Sequence, residues 1–461
     1  MNFLAQLSLL IRSLEFFFHF HLLTGLVTFI GVAIPLRKHL ARYRHRSASA
    51  ERIPFECFNA PEVSILIPVF NEGRHIIRGV NAALASDYPN HRVVVINDGS
   101  TDITMALLER HYQLQETQFE QRHILGKSDI RRILSSRLDA RLIVIDKPHS
   151  GKADTLNVAL DTVTSPVVCC MDADSIIMPE ALGKLMSRFI DEPALVAVGG
   201  AISPGNGIVI RERLPTRLSG RIPILLGVQI IEYLRSMTTW RTGWSYLNGL
   251  LIIGGALTAF RRDAMVKVGG YSANTCTEDL DMILTLHSYH LERDLNYFIW
   301  TVPDVICWTR APVSLDRLRS QRIRWMTGAL QCISKHRSLA YNRRNMFLGW
   351  ISFPHFVFIE AAAPLIELAG LFCLVAAALT GLLSVQALVI YGLMVYVIVG
   401  LMSWCAIVMN NDFIRSYPTI GGLLRVGLIG LLEPIGYRQR DAFWRLQAWW
   451  CWSRGERVAW R

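Results

Sequence analysis

Acidic residues recur in this chain where an extended apolar run gives way to a turn. Val63–Val69 runs into Phe70-Asn71-Glu72, residues 93–96 into Asn97-Asp98-Gly99-Ser100-Thr101-Asp102, and Val167–Met171 into Asp172-Ala173-Asp174. Two carboxylates one residue apart at a strand end can reach a Mg²⁺ or Mn²⁺ ion that also holds phosphate oxygens. Such an ion neutralises the charge that builds on a leaving diphosphate. Asp172 and Asp174 are therefore the candidate metal pair. Their plainer role is to cap the helix suggested by Pro179-Glu180-Ala181-Leu182. Asp98 reads either as an Asx-turn residue or as an acceptor for the N–H of a base such as uracil. No GxxxxGK[ST] is present and no GxGxxG follows a strand, which disfavours phosphate held by a glycine loop.

Three further groups carry chemistry. Lys152, in Ser150-Gly151-Lys152-Ala153-Asp154, can touch a donor phosphate or stand as a solvated helix residue. Thr277-Glu278-Asp279 precedes the apolar run 280–286. A Thr N-cap with two acids behind it suits a helix N-terminus, and the same order offers Asp279 as a general base toward an acceptor hydroxyl. In Gln321-Arg322-Ile323-Arg324-Trp325, spacings of three and four put Gln321, Arg324 and Trp325 on one helix face and turn Arg322 elsewhere. An Arg for diphosphate and an indole for a sugar ring fit that face; so does a basic-aromatic helix at a membrane interface.

The elements that must position these residues follow a regular pattern. The runs at 63–69, 93–96, 142–145 and 167–171 are apolar almost throughout rather than alternating, as in strands buried on both faces of a parallel sheet. Helical patterns such as 72–85 and 152–160 lie between them, and this βαβ alternation predicts a doubly wound α/β fold. In open α/β sheets ligands bind beyond the carboxyl ends of the strands, which is where the acids fall. The polar stretch 113–140 reads as an inserted helix or loop.

Residues 15–36 are long and apolar enough to span a bilayer, with no small-residue cleavage site before the basic cluster. They predict a retained anchor whose C-terminal end is cytoplasmic. From 346 to 409 the chain is almost wholly apolar, which predicts an interfacial helix at 346–361 and spans near 362–383 and 386–409. The stretch 420–432 contains Arg425 and is short for a crossing; parity between a cytoplasmic middle and a cytoplasmic tail makes it interfacial or re-entrant. The tail, with Trp444, Trp449, Trp450, Trp452 and Trp460 among arginines, has the composition of an interfacial amphipathic helix.

Composition agrees with a membrane protein that carries a soluble middle. The 461 residues are 51% hydrophobic and 18% charged, with a formal net charge of +11. Basic residues flank the apolar stretches: Arg37, Lys38, Arg42, Arg44 and Arg46 in front, then Arg438, Arg440, Arg445, Arg454, Arg457 and Arg461 behind. Such flanks read as cytoplasmic and favour anionic headgroups. No nucleic-acid motif accompanies the charge, which argues against a nucleic-acid partner. The nine cysteines show no CxxC spacing, so neither a zinc site nor a redox pair is indicated.

Taken in order, Pro68–Glu72, Asn97–Asp102, Gly151-Lys152-Ala153, Asp172-Ala173-Asp174, Thr277-Glu278-Asp279 and Gln321–Trp325 resemble the motifs of the membrane-bound family 2 glycosyltransferases, the group containing cellulose, hyaluronan and poly-N-acetylglucosamine synthases. The resemblance covers roughly residues 61–330; Glu433-Pro434-Ile435-Gly436-Tyr437-Arg438-Gln439 also resembles a subgroup of bacterial members. It implies an α/β GT-A fold, Rossmann-like with a mostly parallel sheet, flanked by transmembrane and interfacial helices. Its domains would be an anchor and linker (1–50), a cytoplasmic catalytic domain (55–340), membrane helices (341–437) and a basic tail (438–461). It implies inverting transfer from a UDP-sugar to a glycan or lipid acceptor at the cytoplasmic membrane face, with Mg²⁺ or Mn²⁺. By motif position Asp279 would be the catalytic base, and Pro68, Glu72, Asp98, Lys152, Asp172 and Asp174 would bind the donor. Glu278, Gln321, Arg324 and Trp325 would hold the acceptor and the donor diphosphate. The long polar insert and the few crossings after the catalytic domain are departures, and they keep a non-processive transferase acting on a lipid or polyprenyl phosphate as a rival. A catalytically inactive scaffold or transporter is the rival from another class; it calls for ionisable residues within the spans, where Glu360 and Glu367 are the only acids in the first C-terminal stretch and 386–409 has no acid.

Overall fold

The computed structural model describes residues 60–118, 123–206, 208–211, 214–218, 222–381, 384–409 and 420–456, with scattered helical positions between 5 and 41. The expected anchor at 15–36 lies largely outside the described residues. By its internal packing the chain divides into a sheet unit, Lys38–Gly220 with Trp244–Ala311, and a helical unit, Met1–Arg37 with Arg221–Gly243 and Pro312–Arg461.

The strands of the sheet unit are β1 (Val63–Val69), β2 (His91–Asp98), β3 (Leu114–Glu116), β4 (Arg132–Ser136), β5 (Leu142–Lys147), β6 (Val167–Met171), β7 (Ile176–Ile177), β8 (Leu195–Pro204), β9 (Ile208–Arg211), β10 (Leu214–Leu218), β11 (Leu257–Arg261) and β12 (Phe298–Thr309). Ten of them form one sheet in the order β3-β4-β5-β2-β1-β6-β11-β8-β12-β7, and β9 and β10 make a separate hairpin. Its helices are α1 (Ile76–Leu84), α2 (Thr104–Tyr112), α3 (Lys152–Thr162), α4 (Ala181–Asp191) and α5 (Glu278–Glu292).

The centre, β5-β2-β1-β6, is parallel throughout. Its Val and Ile side chains are buried on both faces, which is why the runs do not alternate. The sheet as a whole is mixed, which corrects the expectation of a mostly parallel one. β11 runs antiparallel between β6 and β8, β4 pairs antiparallel with β3 and β5, and β7 with β12. Beyond the centre only β8 and β12 pair in parallel. The cause is the connection. A crossover helix returns the chain to the far edge before β2 and β6, whereas β11 re-enters at the edge where β8 ended, so it must run the opposite way.

The polar stretch 113–140, expected as helix or loop, instead supplies the edge strands β3 and β4 and a segment pinned to α3. Asp161, 4% exposed, accepts from the backbone N–H groups of Ile124 (3.0 Å), Leu125 (2.9 Å) and Gly126 (2.8 Å). Asp154 accepts from Lys127 N (2.8 Å) and Ser128 Oγ (2.6 Å). The backbone at 124–127 and the Ser128 hydroxyl are thus held by carboxylates on a neighbouring helix.

The helical unit contains a helix at Ile224–Tyr233 that continues as π turns over Leu234–Trp240. Then come α6 (Leu315–Lys335), a bent helical run Leu348–Ala361, α7 (Ala363–Leu379), α8 (Val385–Met409), α9 (Ile420–Leu432) and α10 (Tyr437–Ser453). Residues 312–340, which the sequence reading placed with the catalytic domain, pack within this unit. Helix α6 starts at Ser314, whose hydroxyl accepts from Arg317 N. It packs on α10 through Met326, Leu330 and Ala448, with Ala361 joining the cluster. Among the described residues no single helix is long and apolar enough to cross a membrane. Leu348–Ala361 and α7, bent by 46° with respect to each other, meet that requirement as a pair. Pro364 in the first turn of α7 marks the break.

Candidate active site

The turns after β1 and β2 hold each other. Asn71 adopts φ 55, a left-handed conformation that Asn tolerates better than most residues. From there its Oδ1 accepts from Thr101 N (2.8 Å) and Asp102 N (3.2 Å), while its own N–H donates to Ser100 Oγ (3.0 Å). Asp102 accepts from Thr104 N (2.9 Å) and Gly73 N (3.2 Å), and Glu72 N donates to Thr104 Oγ1 (3.0 Å). These residue types are explained by the stitching. Glu72 is left with its carboxyl half-buried; burial first, then the charges of Asp102 and Asp172, raise its pKa against the pull of Arg310.

Asp98, 3% exposed, is committed to protein donors. Its Oδ1 accepts from Lys147 Nζ (2.5 Å) and Ser150 N (2.9 Å), its Oδ2 from Gly151 N (2.9 Å), and His149 Nδ1 lies 2.9 Å from Oδ2. Lys147 is wholly buried and also donates to Pro148 O, Ser150 Oγ and Thr155 Oγ1. Gly99 (φ +68) allows this closure, since a Cβ there would lie 2.6 Å from His149 N. Above the carboxylate, the exposed rings of Phe70 and His149 stack with centroids 4.3 Å apart.

Three of the other acids converge, while Asp174 and Glu72 stand outside the lining they share. Pro68, Lys152, Asp172, Glu278 and Asp279 line one pocket beyond the carboxyl ends of β1 and β6, walled by Tyr271. Lys152 Nζ lies 2.8 Å from Asp172 Oδ1 and 2.8 Å from Glu278 Oε1. Burial opposes the charge of Lys152, but Asp172, Glu278 and Asp279 outweigh it and hold the ammonium well above its usual range. Asp279 is raised, first by burial and then by Glu278, with Lys152 pulling the other way. Asp174 is pushed up to about 7 by burial, then by Asp172 and Glu72; Thr309 Oγ1 donates to it at 3.3 Å. The pocket thus carries more carboxylates than the single ammonium balances, which is the environment a divalent cation relieves. Asp172 and Asp174 offer hard oxygen ligands suited to Mg²⁺ or Mn²⁺. Among the described residues no group of three or more His, Cys, Asp and Glu is arranged to hold a metal ion.

Two buried clamps set the pocket wall. Asn157 on α3 donates to Tyr271 O (2.9 Å) and accepts from Tyr271 N (2.7 Å). The Tyr271 hydroxyl in turn donates to Cys170 Sγ at 3.2 Å. Gln321, Arg324 and Trp325 lie on α6 in the helical unit, all partly buried; Gln321 Oε1 is buried without a hydrogen-bond partner among the described residues. Arg322 is buried, but its guanidinium carbon lies 5.0 Å from the ring centroid of Trp325, so it is not turned away from that residue as the spacing suggested.

Sequence reasoning missed Lys147, His149, Phe70, Asn157 and Tyr271. A signal existed for the first two, because β5 ends in Asp146-Lys147 and the strand-end rule applies to it as much as to its neighbours. Asn157 and Tyr271 are joined only by the fold.

The sequence profile described as "Glycosyl transferase family 2" matches residues 64–265, and that described as "Glycosyl transferase family group 2" matches residues 167–409, over half of the chain. The chain is 26% identical over 266 residues to a poly-beta-1,6-N-acetyl-D-glucosamine synthase of Staphylococcus epidermidis, covering 58% of this chain and 54% of that protein. A synthase of the same name from Staphylococcus aureus (strain COL) is 27% identical over 267 residues, with the same coverage. The chain spans about half the length of the curated relatives it matches. Among solved structures, the mannosyltransferase PcManGT from Pyrobaculum calidifontis, in complex with GDP-Man and Mn²⁺, superposes over 87% of this chain and 99% of its own with a TM-score of 0.54 at 20% identity. That likeness speaks to the GT-A fold.

Proposed function

The chain belongs to glycosyl transferase family group 2, and from that membership we propose that it moves a hexosyl or N-acetylhexosaminyl group from a UDP-sugar to a glycan in polysaccharide synthesis. Transfer is a single displacement with inversion. Asp279 takes the proton of the acceptor hydroxyl as that oxygen attacks the anomeric carbon, and UDP departs from the opposite face. A divalent ion bound by Asp172 and Asp174 would supply countercharge to the departing diphosphate. Lys152, paired with Asp172 and Glu278, is a protein cation beside that charge. The base lies on the Phe70–His149 face, with Asp98 seating His149. Gln321, Arg324 and Trp325 hold the acceptor end and the donor phosphates.

One observation carries this reading. Asp172 and Glu278, from motifs far apart in the chain, share the ammonium of Lys152, and Asp279 lines the same pocket. A base beside a countercharged acidic cleft suits displacement of a diphosphate better than it suits a scaffold.

The helical unit seats the enzyme in a bilayer with the sheet unit on the cytoplasmic side. What supports this is apolar side chains left in the open on α7 and α8, among them Phe372 (74% exposed), Leu379 (83%) and Leu401 (60%).

The printed name of the Staphylococcus relatives makes UDP-N-acetylglucosamine the first donor to try and a polymer the first product to look for. The test is UDP release by membranes containing the protein, across a panel of UDP-sugars, with and without Mn²⁺ or Mg²⁺. Release that needs an acceptor and vanishes in EDTA is expected. No release with any UDP-sugar, or equal turnover in EDTA, contradicts the donor class or the metal respectively.

A further inference from the structure

The segment Glu433–Gln439 takes no part in the transfer chemistry above, yet its charged residues have partly buried partners within the helical unit. Glu433, 4% exposed, accepts from both terminal nitrogens of Arg235. Arg438 donates to Glu367 of α7. The Tyr437 hydroxyl donates to Glu232 at 3.2 Å, and Asp441, one turn further along α10, lies 3.6 Å from Nε of Arg322.

Arg322 is where these contacts meet. It is 6% exposed, donates to Glu232 through a short hydrogen bond, and lies 3.5 Å from the Tyr437 hydroxyl. Its guanidinium carbon sits 5.0 Å from the ring centroid of Trp325, one turn along the same helix. Burial disfavours a charge there, but Glu232, Tyr437 and Asp441 outweigh it and keep the guanidinium charged. A cation fixed over an aromatic face restricts the plane of that ring. The apolar seam between α6 and α10, made by Met326, Leu330 and Ala448, supplies burial without direction. Charged hydrogen bonds supply the direction.

We propose that Glu232, Tyr437 and Asp441 are positioning residues: by closing on Arg322 they set the indole plane of Trp325 and the rotation of the α6 face that carries Gln321 and Arg324. This rests on the reading that this face holds the acceptor end. The C-terminal segment is then part of the acceptor machinery without touching substrate.

The test uses the full chain in lipid nanodiscs, with UDP-N-acetylglucosamine as donor probe and a β-1,6-linked N-acetylglucosamine pentamer as acceptor probe. Tyr437→Phe removes one hydroxyl and leaves the fold; Glu232→Gln and Asp441→Asn keep shape and remove charge. The acceptor KM should rise about tenfold or more in Glu232→Gln, which loses a charged hydrogen bond, and about threefold in Tyr437→Phe and in Asp441→Asn, whose carboxylate stands 3.6 Å from Arg322 and pairs at 2.8 Å with Arg445. UDP affinity should fall by a smaller factor than the acceptor KM rises in all three, since Arg324 on the same face also meets the donor phosphates, and Glu232→Asp should recover part of the acceptor KM. Unchanged acceptor KM in folded Tyr437→Phe and Glu232→Gln, with Trp325→Ala strongly affected, overturns the positioning role alone. Loss of activity that tracks only loss of folded protein, with both KM values unchanged, also overturns it. An acceptor KM unmoved by Trp325→Ala defeats the reading of α6 beneath it.

Discussion

The ammonium of Lys152 and the carboxylate of Glu278 meet at 2.8 Å, joining the first turn of α3 to the first turn of α5. The same ammonium touches Asp172 at the end of β6. Lys152→Met leaves these carboxylates facing each other without a countercharge, and stability should fall by about 1–2 kcal/mol, less than for a fully buried pair because Lys152 and Asp172 are partly exposed. Thermal melting measures this. Adding Glu278→Gln to Lys152→Met removes one of the stranded charges and should recover part of the melting temperature. A double variant that melts no higher than the single one would mean that the pair contributes nothing.

The pH profile should carry the mark of Asp279. A base works unprotonated, so the acid limb of kcat falls at its pKa in the complex. Burial and Glu278 raise that pKa, so the limb should sit above the ordinary aspartate range. Glu278→Gln removes the like charge but not the burial, and the limb should move part of the way down in pH. A limb that stays put, or moves up, removes Glu278 from the electrostatics of the base.

Asp279→Asn and Asp172→Asn should fail in different ways. The first removes the base and should lower kcat by about 10²–10⁴-fold, with UDP affinity preserved. The second removes one of the two hard ligands and should weaken Mn²⁺-dependent UDP binding itself, read by calorimetry at fixed metal. Equal loss of binding in both would place Asp279 among the donor ligands rather than at the acceptor.

The parallel centre was readable because burial on both faces leaves its imprint on composition: Val63–Val69 and Val167–Met171 are strands with the bounds their apolar runs suggest. The antiparallel β11 was not readable, because strand direction depends on where the chain re-enters the sheet and no residue type encodes that. Acids at strand ends were legible as a cluster in Asp172 and Asp174. The commitment of Asp98 to Lys147 and His149 was hidden, since those two partners lie at the end of β5, beside β2 only in the fold. The insert misled for a related reason. Its polarity suggested a helix or loop, whereas part of it pairs as β3 and β4 and part is held through its backbone by Asp161 and Asp154.

That attachment is itself testable. Asp161→Ala strips three backbone N–H groups of their acceptor and should cost about 2 kcal/mol. Hydrogen exchange at residues 124–126 should quicken, while amides of β1 and β6 keep their protection. Unchanged exchange at 124–126 would show that the segment is held by something other than the carboxylate.

Gly255 offers the sharpest probe of the base. It lies in the Gly254-Gly255-Ala256 turn that leads into β11, and a Cβ built there would fall 2.6 Å from Oδ2 of Asp279, 3.2 Å from its Cγ and 3.3 Å from its Cβ. The whole carboxylate would have to give way, and it stands in the first turn of α5 with Leu280 N donating to its Oδ1 at 2.9 Å. Its easy escape is a rotation away from the pocket. Gly255→Ala should therefore lower kcat by about 10²-fold, the scale of a catalytic group displaced by about an ångström. Asp172 and Asp174 have no such clash, so UDP affinity in Mn²⁺ should be retained. Wild-type kcat in Gly255→Ala would mean that Asp279 does not act from the position it occupies here.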